Sequence, residues 1–200
     1  MTNAWAWTLL AVVVAERVGE LYIARRNTAR LLADGGYEVG EGHYPVIVGV
    51  HMVWFVALGV WLATGSRPFV FGWFGVFAVA QILRAWVMLS LGKYWTTRII
   101  VVPTAPLIRR GPYRWLAHPN YLIVVIEIFT LPMVFGAWLP AVVFSLANGV
   151  VLWVRISAED EALASRRALD SRDLESGAGA STVASAMTTP PDRPPSATPH

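Results

Sequence analysis

Long apolar segments separated by short polar stretches dominate the chain. They cover residues 5–24, 44–64, 69–91 and 121–156. A helix that spans a bilayer needs about 20 mostly apolar residues, so each of the first three segments predicts one membrane helix. The fourth is too long for one span, and Pro132, Gly136 and Pro140 lie near its centre, where proline interrupts helices. The pattern predicts an all-α polytopic membrane protein with about five transmembrane helices, the last two forming a helical hairpin.

The composition supports a membrane protein and excludes several kinds of site. Hydrophobic residues make up 56% of the chain and charged residues 14%, whereas soluble domains have about 45–50% and about 25%. The absence of cysteine excludes disulfide frameworks, iron–sulfur clusters and cysteine nucleophiles. The four histidines include no closely spaced pair, so we predict no metal site. The net charge of +3 comes without a nucleic-acid-reading motif, so we expect a lipid bilayer as the partner and no nucleic acid.

Basic residues are distributed unevenly among the predicted loops. Clusters of Lys and Arg follow the first, third and last predicted helices, whereas the loop between the second and third contains only Arg67. The positive-inside rule therefore places the N-terminus outside the cell inner (plasma) membrane and the third loop and C-terminus in the cytoplasm. We expect no cleavable signal, because the first apolar segment lacks a basic start and a small-residue cleavage site.

Three regions follow from this pattern. Residues 1–91 hold the first three membrane helices, and residues 92–165 hold a mixed loop, the helical hairpin and its cytoplasmic end. Residues 166–200 begin with basic residues and continue into a segment rich in Ala, Ser, Thr and Pro. Such a segment cannot bury enough apolar surface to fold, so we predict that it is disordered.

Three charged residues interrupt the first apolar segment, namely Glu16, Arg17 and Glu20. Charged side chains within a bilayer are energetically costly and usually functional. Glu16 and Glu20 are four positions apart and therefore share a helix face. We expect them either to pair with Arg84 of the third predicted helix or to line the mouth of a substrate site.

Two histidines occur near the start of the second predicted helix. His43 stands at its entry, and His51 lies about two turns further along. Both could contact a substrate, and His43 is a substrate-binding candidate. His51 could equally form a hydrogen bond with a neighbouring backbone group.

The segment EVGEG, residues 38–42, has the acidic and glycine spacing of a nucleotide-binding loop. Such a loop requires a buried strand before it and a helix after it. The segment instead follows a polar loop and runs directly into His43, Tyr44 and Pro45, without the strand and helix of a βαβ unit, so we interpret it as a turn.

The loop at residues 92–121 is rich in proline and includes the segment GPYRWLAHPNY. Its prolines, at positions 103, 106, 112 and 119, keep the chain extended and leave backbone N–H and C=O groups without helical partners. At membrane depth such backbone persists only when it is buried in protein or lines a cavity. A ligand with many polar edges would satisfy these groups, so the loop predicts a cofactor site.

A second polar cluster, RISAED, stands at the predicted cytoplasmic end of the last helix. Its Arg155 and Glu159 are four positions apart and so lie on one helix face. Taken alone, the pair indicates either a weak surface ion pair at the membrane boundary or one wall of a site.

Together, LIRRGPYRWLAHPNY and RISAED, separated by the predicted hairpin, resemble the isoprenylcysteine carboxyl methyltransferase family. Members of that family are integral membrane enzymes that use S-adenosyl-L-methionine. The family pattern combines a Gly-x-Tyr turn, an Arg-His-Pro-x-Tyr box and an Arg-x-x-x-Glu pair in the last helix. The chain departs from this pattern at Ala117, where the family usually has arginine, so any role of that guanidinium is missing or moved.

The resemblance implies a role for each matched residue. Arg155 would face the methyl acceptor and hold an anionic oxygen, as both a catalytic and a substrate-binding residue. His118 is the other catalytic candidate, as a base. Without the resemblance, His118 would be interpreted as a capping or structural histidine, and the two tyrosines as aromatics of the membrane interface. The residues implied to bind the cofactor are Ala105, Pro106, Leu107, Ile108, Tyr113, His118, Pro119, Asn120, Tyr121 and Glu159.

The segments ERVGELYIARRN and GHYPVIVGVH are similar to a bacterial branch of the family. Members of that branch accompany type III polyketide synthases and methylate alkylpyrones or alkylresorcinols. The resemblance implies O-methylation of a lipophilic small-molecule acceptor, either such a compound or a prenylcysteine carboxylate. It also implies a link to a type III polyketide synthase pathway.

Other functions stay open at this point, including a sterol-reductase-like oxidoreductase, a phospholipid N-methyltransferase, and a transporter or scaffold. The loop at residues 92–121 is small for a dinucleotide, and an arginine beside the acceptor disfavours a cationic amine. Transporters usually show repeats and helices broken at mid-membrane, and neither is evident in this sequence.

Overall fold

The computed structural model describes residues 3–40, 42, 44–103 and 110–157. Single turns of 3-10 helix occur at Gly92–Tyr94 and Gly111–Arg114. The predicted helical fold class is confirmed, and the predicted disordered tail lies outside the described residues. The helices in these ranges are α1 (Ala4–Ala33), α2 (Tyr44–Ala63), α3 (Phe71–Leu91), α4 (Pro119–Val134) and α5 (Trp138–Ser157).

Within the described ranges, three helices are long and apolar enough to cross a membrane, namely α2, α3 continued to Tyr94, and α5. Helix α1 is longer, with 30 residues, but it carries Glu16, Arg17 and Glu20. Helix α4 has 16 residues, which corresponds to about 24 Å of helix against a hydrocarbon core of about 30 Å. That α1 and α4 also span the membrane stays a prediction.

The predicted break in the fourth apolar segment lies between α4 and α5. Gly136 has a φ of +64°, and a Cβ at this position would lie 3.1 Å from Cγ of Pro68. The backbone N–H groups of Phe135 and Ala137 both donate to the carbonyl oxygen of Pro132, at 3.0 and 2.9 Å. Glycine is favoured here because the left-handed backbone and the close approach both disfavour a side chain. The hairpin arrangement of the two helices stays a prediction.

The helices pack through two clusters of buried side chains. The larger cluster joins α1, α2, α3 and α4 and includes Leu58, Ile128 and Leu131. Large apolar side chains on the outer faces point away from it, and Leu89 and Trp153 are 79% and 73% exposed. Apolar residues on both faces are typical of helices in lipid, where association depends on close packing rather than on the removal of apolar surface from water.

A short antiparallel sheet joins two loops at one end of the helices. Strand β1 (Tyr37–Val39), which follows α1, pairs with strand β2 (Ile99–Val101), which follows α3. Arg98 also binds Glu38 across the sheet, with 2.7 Å between Nη1 and Oε2. The interpretation of EVGEG as a turn is wrong for its first two residues, because their strand partner is remote in the sequence and leaves no local signal. The pairing puts both loops on one side of the helices, and that this side is cytoplasmic stays a prediction.

Candidate active site

The Gly-Pro-Tyr turn packs directly against the end of α3. Gly111 has a φ of +58°, and a Cβ on it would collide with the side chain of Ser90 and lie 3.4 Å from the indole nitrogen of Trp86. Arg110 Nε donates to the carbonyl oxygen of Ser90 at 2.7 Å, and Pro112 is buried. The sequence therefore needs glycine at this point, because a side chain would push the turn away from α3.

We expect Gly111→Ala to lower the free energy of unfolding by about 1–3 kcal/mol, the usual cost of an overpacked contact. Gly35→Ala is the matched control, because Gly35 has a φ of +86° but no described atom within 4 Å of its would-be Cβ. Thermal unfolding in detergent compares the two variants. A loss no larger than that of Gly35→Ala would contradict a structural role for the contact with Ser90.

The histidine box begins α4. His118 is the residue before the helix, and Pro119 is buried at the first helical position. Proline is tolerated there because the N–H of that position has no partner within the helix. The rings of His118 and Tyr121 stack, with their centroids 5.4 Å apart and 17° between their planes. The His118 side chain makes no capping hydrogen bond to the described first turn of α4. The His118 side chain therefore stacks on Tyr121 and does not cap the described first turn of α4.

Arg155 connects the last helix to the histidine box. Its Nε donates to the hydroxyl oxygen of Tyr121 at 2.9 Å, and its Nη2 donates to the carbonyl oxygen of Thr97 at 2.7 Å. Arg155 is only 8% exposed, and both of these partners are neutral. The two polar clusters found in the sequence therefore meet at one place, beside the loop that follows α3.

Two buried polar atoms close to this place have no hydrogen-bond partner among the described residues. They are Oδ1 of Asn120, which only accepts, and Nε1 of Trp95, which only donates. Trp95 packs in the same buried cluster as Ile123, against which Tyr113 lies. Because buried polar atoms are nearly always hydrogen-bonded, each of these two atoms is a candidate contact for a polar ligand. Trp95 is absent from the sequence-based candidates, since nothing in the sequence distinguishes it from the other tryptophans.

The described residues bring five sequence-predicted site residues together at the start of α4, namely His118, Pro119, Asn120, Tyr121 and Arg155. Tyr113 lies in the preceding turn. The catalytic and binding roles of all these residues stay predictions. The remaining candidates lie outside the described part of the chain. They are His43, Ala105, Pro106, Leu107, Ile108 and Glu159.

A second group of charged residues lies inside the helical bundle. Arg84 of α3 binds both carboxylate oxygens of Glu20 of α1, at 2.6 Å from Nε and 2.5 Å from Nη2. Its Nη1 binds Glu127 of α4 at 2.9 Å. Arg17 of α1 binds the same two carboxylates, at 2.8 and 3.2 Å. We call these four residues the buried charge cluster, and they tie three helices together.

The expected pairing of Glu20 with Arg84 is confirmed, but two details differ from the sequence analysis. Glu16 is exposed and accepts a hydrogen bond from Nε2 of Gln81 at 2.9 Å, instead of binding Arg84. Glu127 was missed, although it is the one charged residue in the sequence of α4. That isolation was the available signal, because a lone charge in an apolar segment is rarely left unpaired.

Comparison with known proteins identifies the family. The model of the isoprenylcysteine carboxyl methyltransferase (ICMT) family matches residues 73–165, a range that includes most of α3, the Gly-Pro-Tyr turn, the histidine box and Arg155. The uncharacterized protein YpbQ of Bacillus subtilis (strain 168) is 40% identical over 160 residues, which cover 78% of this chain and 95% of the relative. The chain belongs to the isoprenylcysteine carboxyl methyltransferase family.

Other comparisons add less. An uncharacterized protein of Haemophilus influenzae is 25% identical over 159 residues, which cover 76% of this chain and 91% of that protein. No solved structure matches this member of the ICMT family. Because the chain belongs to this family and has helices long and apolar enough to cross a membrane, it is a membrane methyltransferase. The relatives' names state no methyl acceptor.

Proposed function

We propose that the protein is an S-adenosyl-L-methionine-dependent O-methyltransferase that acts on a lipophilic acceptor. The contact between Arg155 and Tyr121 supports this most directly, because it joins the two motifs of the family at one place. Within the described residues, Asn120 Oδ1 and Trp95 Nε1 provide an acceptor and a donor without a partner in that region. Such groups fit a cofactor that carries amino, carboxylate and nucleoside groups.

Arg155 would carry the main electrostatic role in this reaction. S-adenosyl-L-methionine, when bound, would supply the methyl group from its positively charged sulfur to the acceptor oxygen, and S-adenosylhomocysteine would be the leaving group. A carboxylate or an acidic enol is already ionised near neutral pH, whereas a phenol, with a pKa of about 10, needs its anion stabilised. Arg155 would donate to that oxygen, held in place by Tyr121 and Thr97. His118 or Glu159 would be needed as a base only for the phenol.

The acceptor we propose is an alkylpyrone or alkylresorcinol, with a prenylcysteine carboxylate as the alternative. The cofactor would enter from the cytoplasm and the acceptor from the bilayer, with the N-terminus outside the plasma membrane. Incubating the purified protein with labelled S-adenosyl-L-methionine and each acceptor in parallel distinguishes these classes. Labelling of none of them would contradict the proposed acceptor range.

We expect Glu159→Ala to weaken the binding of S-adenosylhomocysteine by about tenfold or more. The reason is that a hydrogen bond to a charged carboxylate contributes about 1.5–3 kcal/mol to the free energy of binding. Isothermal titration of the detergent-solubilised protein measures the affinity, and Glu161→Ala is the control with the same change of charge. Unchanged affinity in a folded Glu159→Ala variant would contradict the proposed cofactor site.

A further inference from the structure

A cavity of about 40 Å³ lies against the buried charge cluster, away from the histidine box. Its polar wall consists of Arg17, His51, Trp54, Arg84 and Glu127, and the rest of its lining is apolar. This volume has room for a small polar group, since a single water needs about 10–15 Å³. The wall belongs to α1, α2, α3 and α4, so the cavity lies within the bundle rather than in a surface loop.

Trp54 lines this cavity and carries a hydrogen-bond donor that has no acceptor among the described residues. The residue is 3% exposed, and its Nε1 has no partner in the part of the chain that the structure describes. An indole N–H can only donate, and a buried donor is rarely left without an acceptor. The site therefore lacks an acceptor atom beside Trp54.

His51 supplies an acceptor. Its Nδ1 lies 2.9 Å from the carbonyl oxygen of Ile47, and a carbonyl oxygen only accepts, so Nδ1 carries the proton of the neutral ring. The other ring nitrogen, Nε2, is then an acceptor. Both expectations for His51 are compatible with this geometry, because one nitrogen binds backbone and the other is left for a ligand.

The charges on the wall determine which ligand fits. The buried charge cluster contains two guanidinium groups and two carboxylates that bind one another, so it has no net charge to attract an ion. An anionic ligand would meet Glu127 and the lone pair of His51, and a cationic ligand would meet Arg17 and Arg84. A neutral hydroxyl group both accepts from Trp54 and donates to His51.

We propose that this cavity binds a hydroxyl group of a lipophilic molecule that enters from the bilayer. The charged wall lies midway along helices whose outer faces are apolar, so the rest of the molecule would lie among apolar side chains. Glu127 and Tyr121 are six positions apart on α4, which corresponds to about 9 Å. Such a molecule would be the methyl acceptor only if a second oxygen reached the histidine box. That identification rests on the proposed function, whereas binding in the cavity does not.

The test is a titration without cofactor in lipid nanodiscs. The probes are a long-chain alkylphenol, its methyl ether and a fatty acid of equal chain length. We expect the alkylphenol to bind and the other two to bind at least about tenfold more weakly. Trp54→Phe, which removes the N–H but keeps an aromatic ring, should weaken alkylphenol binding about fivefold to tenfold, as the loss of one hydrogen bond predicts.

Trp61→Phe is the matched control, because Trp61 lies on the same helix and its Nε1 donates to the Phe135 carbonyl oxygen at 3.4 Å. Equal binding of the alkylphenol and its methyl ether would overturn the proposal. So would unchanged affinity in a folded Trp54→Phe variant, since the cavity would then hold only water. If Trp54→Phe does not fold, His51→Phe is expected to show the same loss, and unchanged affinity there would be equally decisive.

The two proposals fail in different ways. Alkylphenol binding that depends on Trp54, without methyl transfer to any hydroxyl-bearing acceptor, supports the cavity and contradicts the proposed methyl transfer to a phenol. Methyl transfer to an alkylresorcinol, together with unchanged affinity for the alkylphenol in Trp54→Phe, supports the enzyme and overturns the cavity as a hydroxyl site.

Discussion

Replacing Arg84 with methionine is expected to destabilise the protein by about 3–5 kcal/mol, the usual cost of breaking a buried ion pair by removing one partner. Arg84 is 9% exposed and donates three hydrogen bonds to Glu20 and Glu127. Without it, two carboxylates inside the bundle keep only Arg17 as a cationic partner. The thermal midpoint of unfolding in detergent or nanodiscs measures the loss.

The matched variant removes one charge of each sign. Arg84→Met combined with Glu127→Gln should recover much of the lost stability, because it leaves the ion pair of Arg17 with Glu20 and a neutral amide needs less compensation than a carboxylate. Arg67→Met serves as a control for loss of an arginine outside the cluster, since Arg67 binds the Trp61 carbonyl oxygen near the end of α2. If Arg84→Met unfolds at the wild-type temperature, the cluster does not tie the helices together.

Arg155→Ala is expected to lower turnover by about 10²–10³-fold. This is the usual effect of removing a hydrogen-bond donor that stabilises a developing or reacting anion. Its affinity for S-adenosylhomocysteine should change little, because Arg155 is assigned to the acceptor rather than to the cofactor. Initial rates and isothermal titration on the same preparation measure the two effects separately. Equal losses in both would contradict this division of roles.

Tyr121→Phe tests how Arg155 is positioned. It removes the hydroxyl that accepts from Arg155 Nε at 2.9 Å but keeps the ring that stacks on His118. We expect a smaller loss of turnover, about tenfold, because the Thr97 carbonyl oxygen still holds the guanidinium. Arg114→Ala is the control, since Arg114 is an exposed arginine of the neighbouring turn.

Local features of the sequence were sufficient for several elements. Apolar runs of membrane length predicted the helices, and Pro132 with Gly136 predicted the break that ends α4. Both signals act over a few residues, through the conformational limits of proline and glycine. The spacing of Glu16 and Glu20 also indicated a charged face on α1, and Arg84 was the one arginine of the third apolar segment available to meet it.

The sequence by itself determined the helical membrane class, the family and most members of the candidate site, because each depends on residue type and short spacing. Only the tertiary structure decided that β1 pairs with β2, that Glu127 completes the buried charge cluster, and that Trp54 and His51 face one cavity. These contacts depend on how helices distant in sequence rotate and pack against one another. No periodicity within a single segment encodes that rotation, since apolar residues cover nearly every face of these helices.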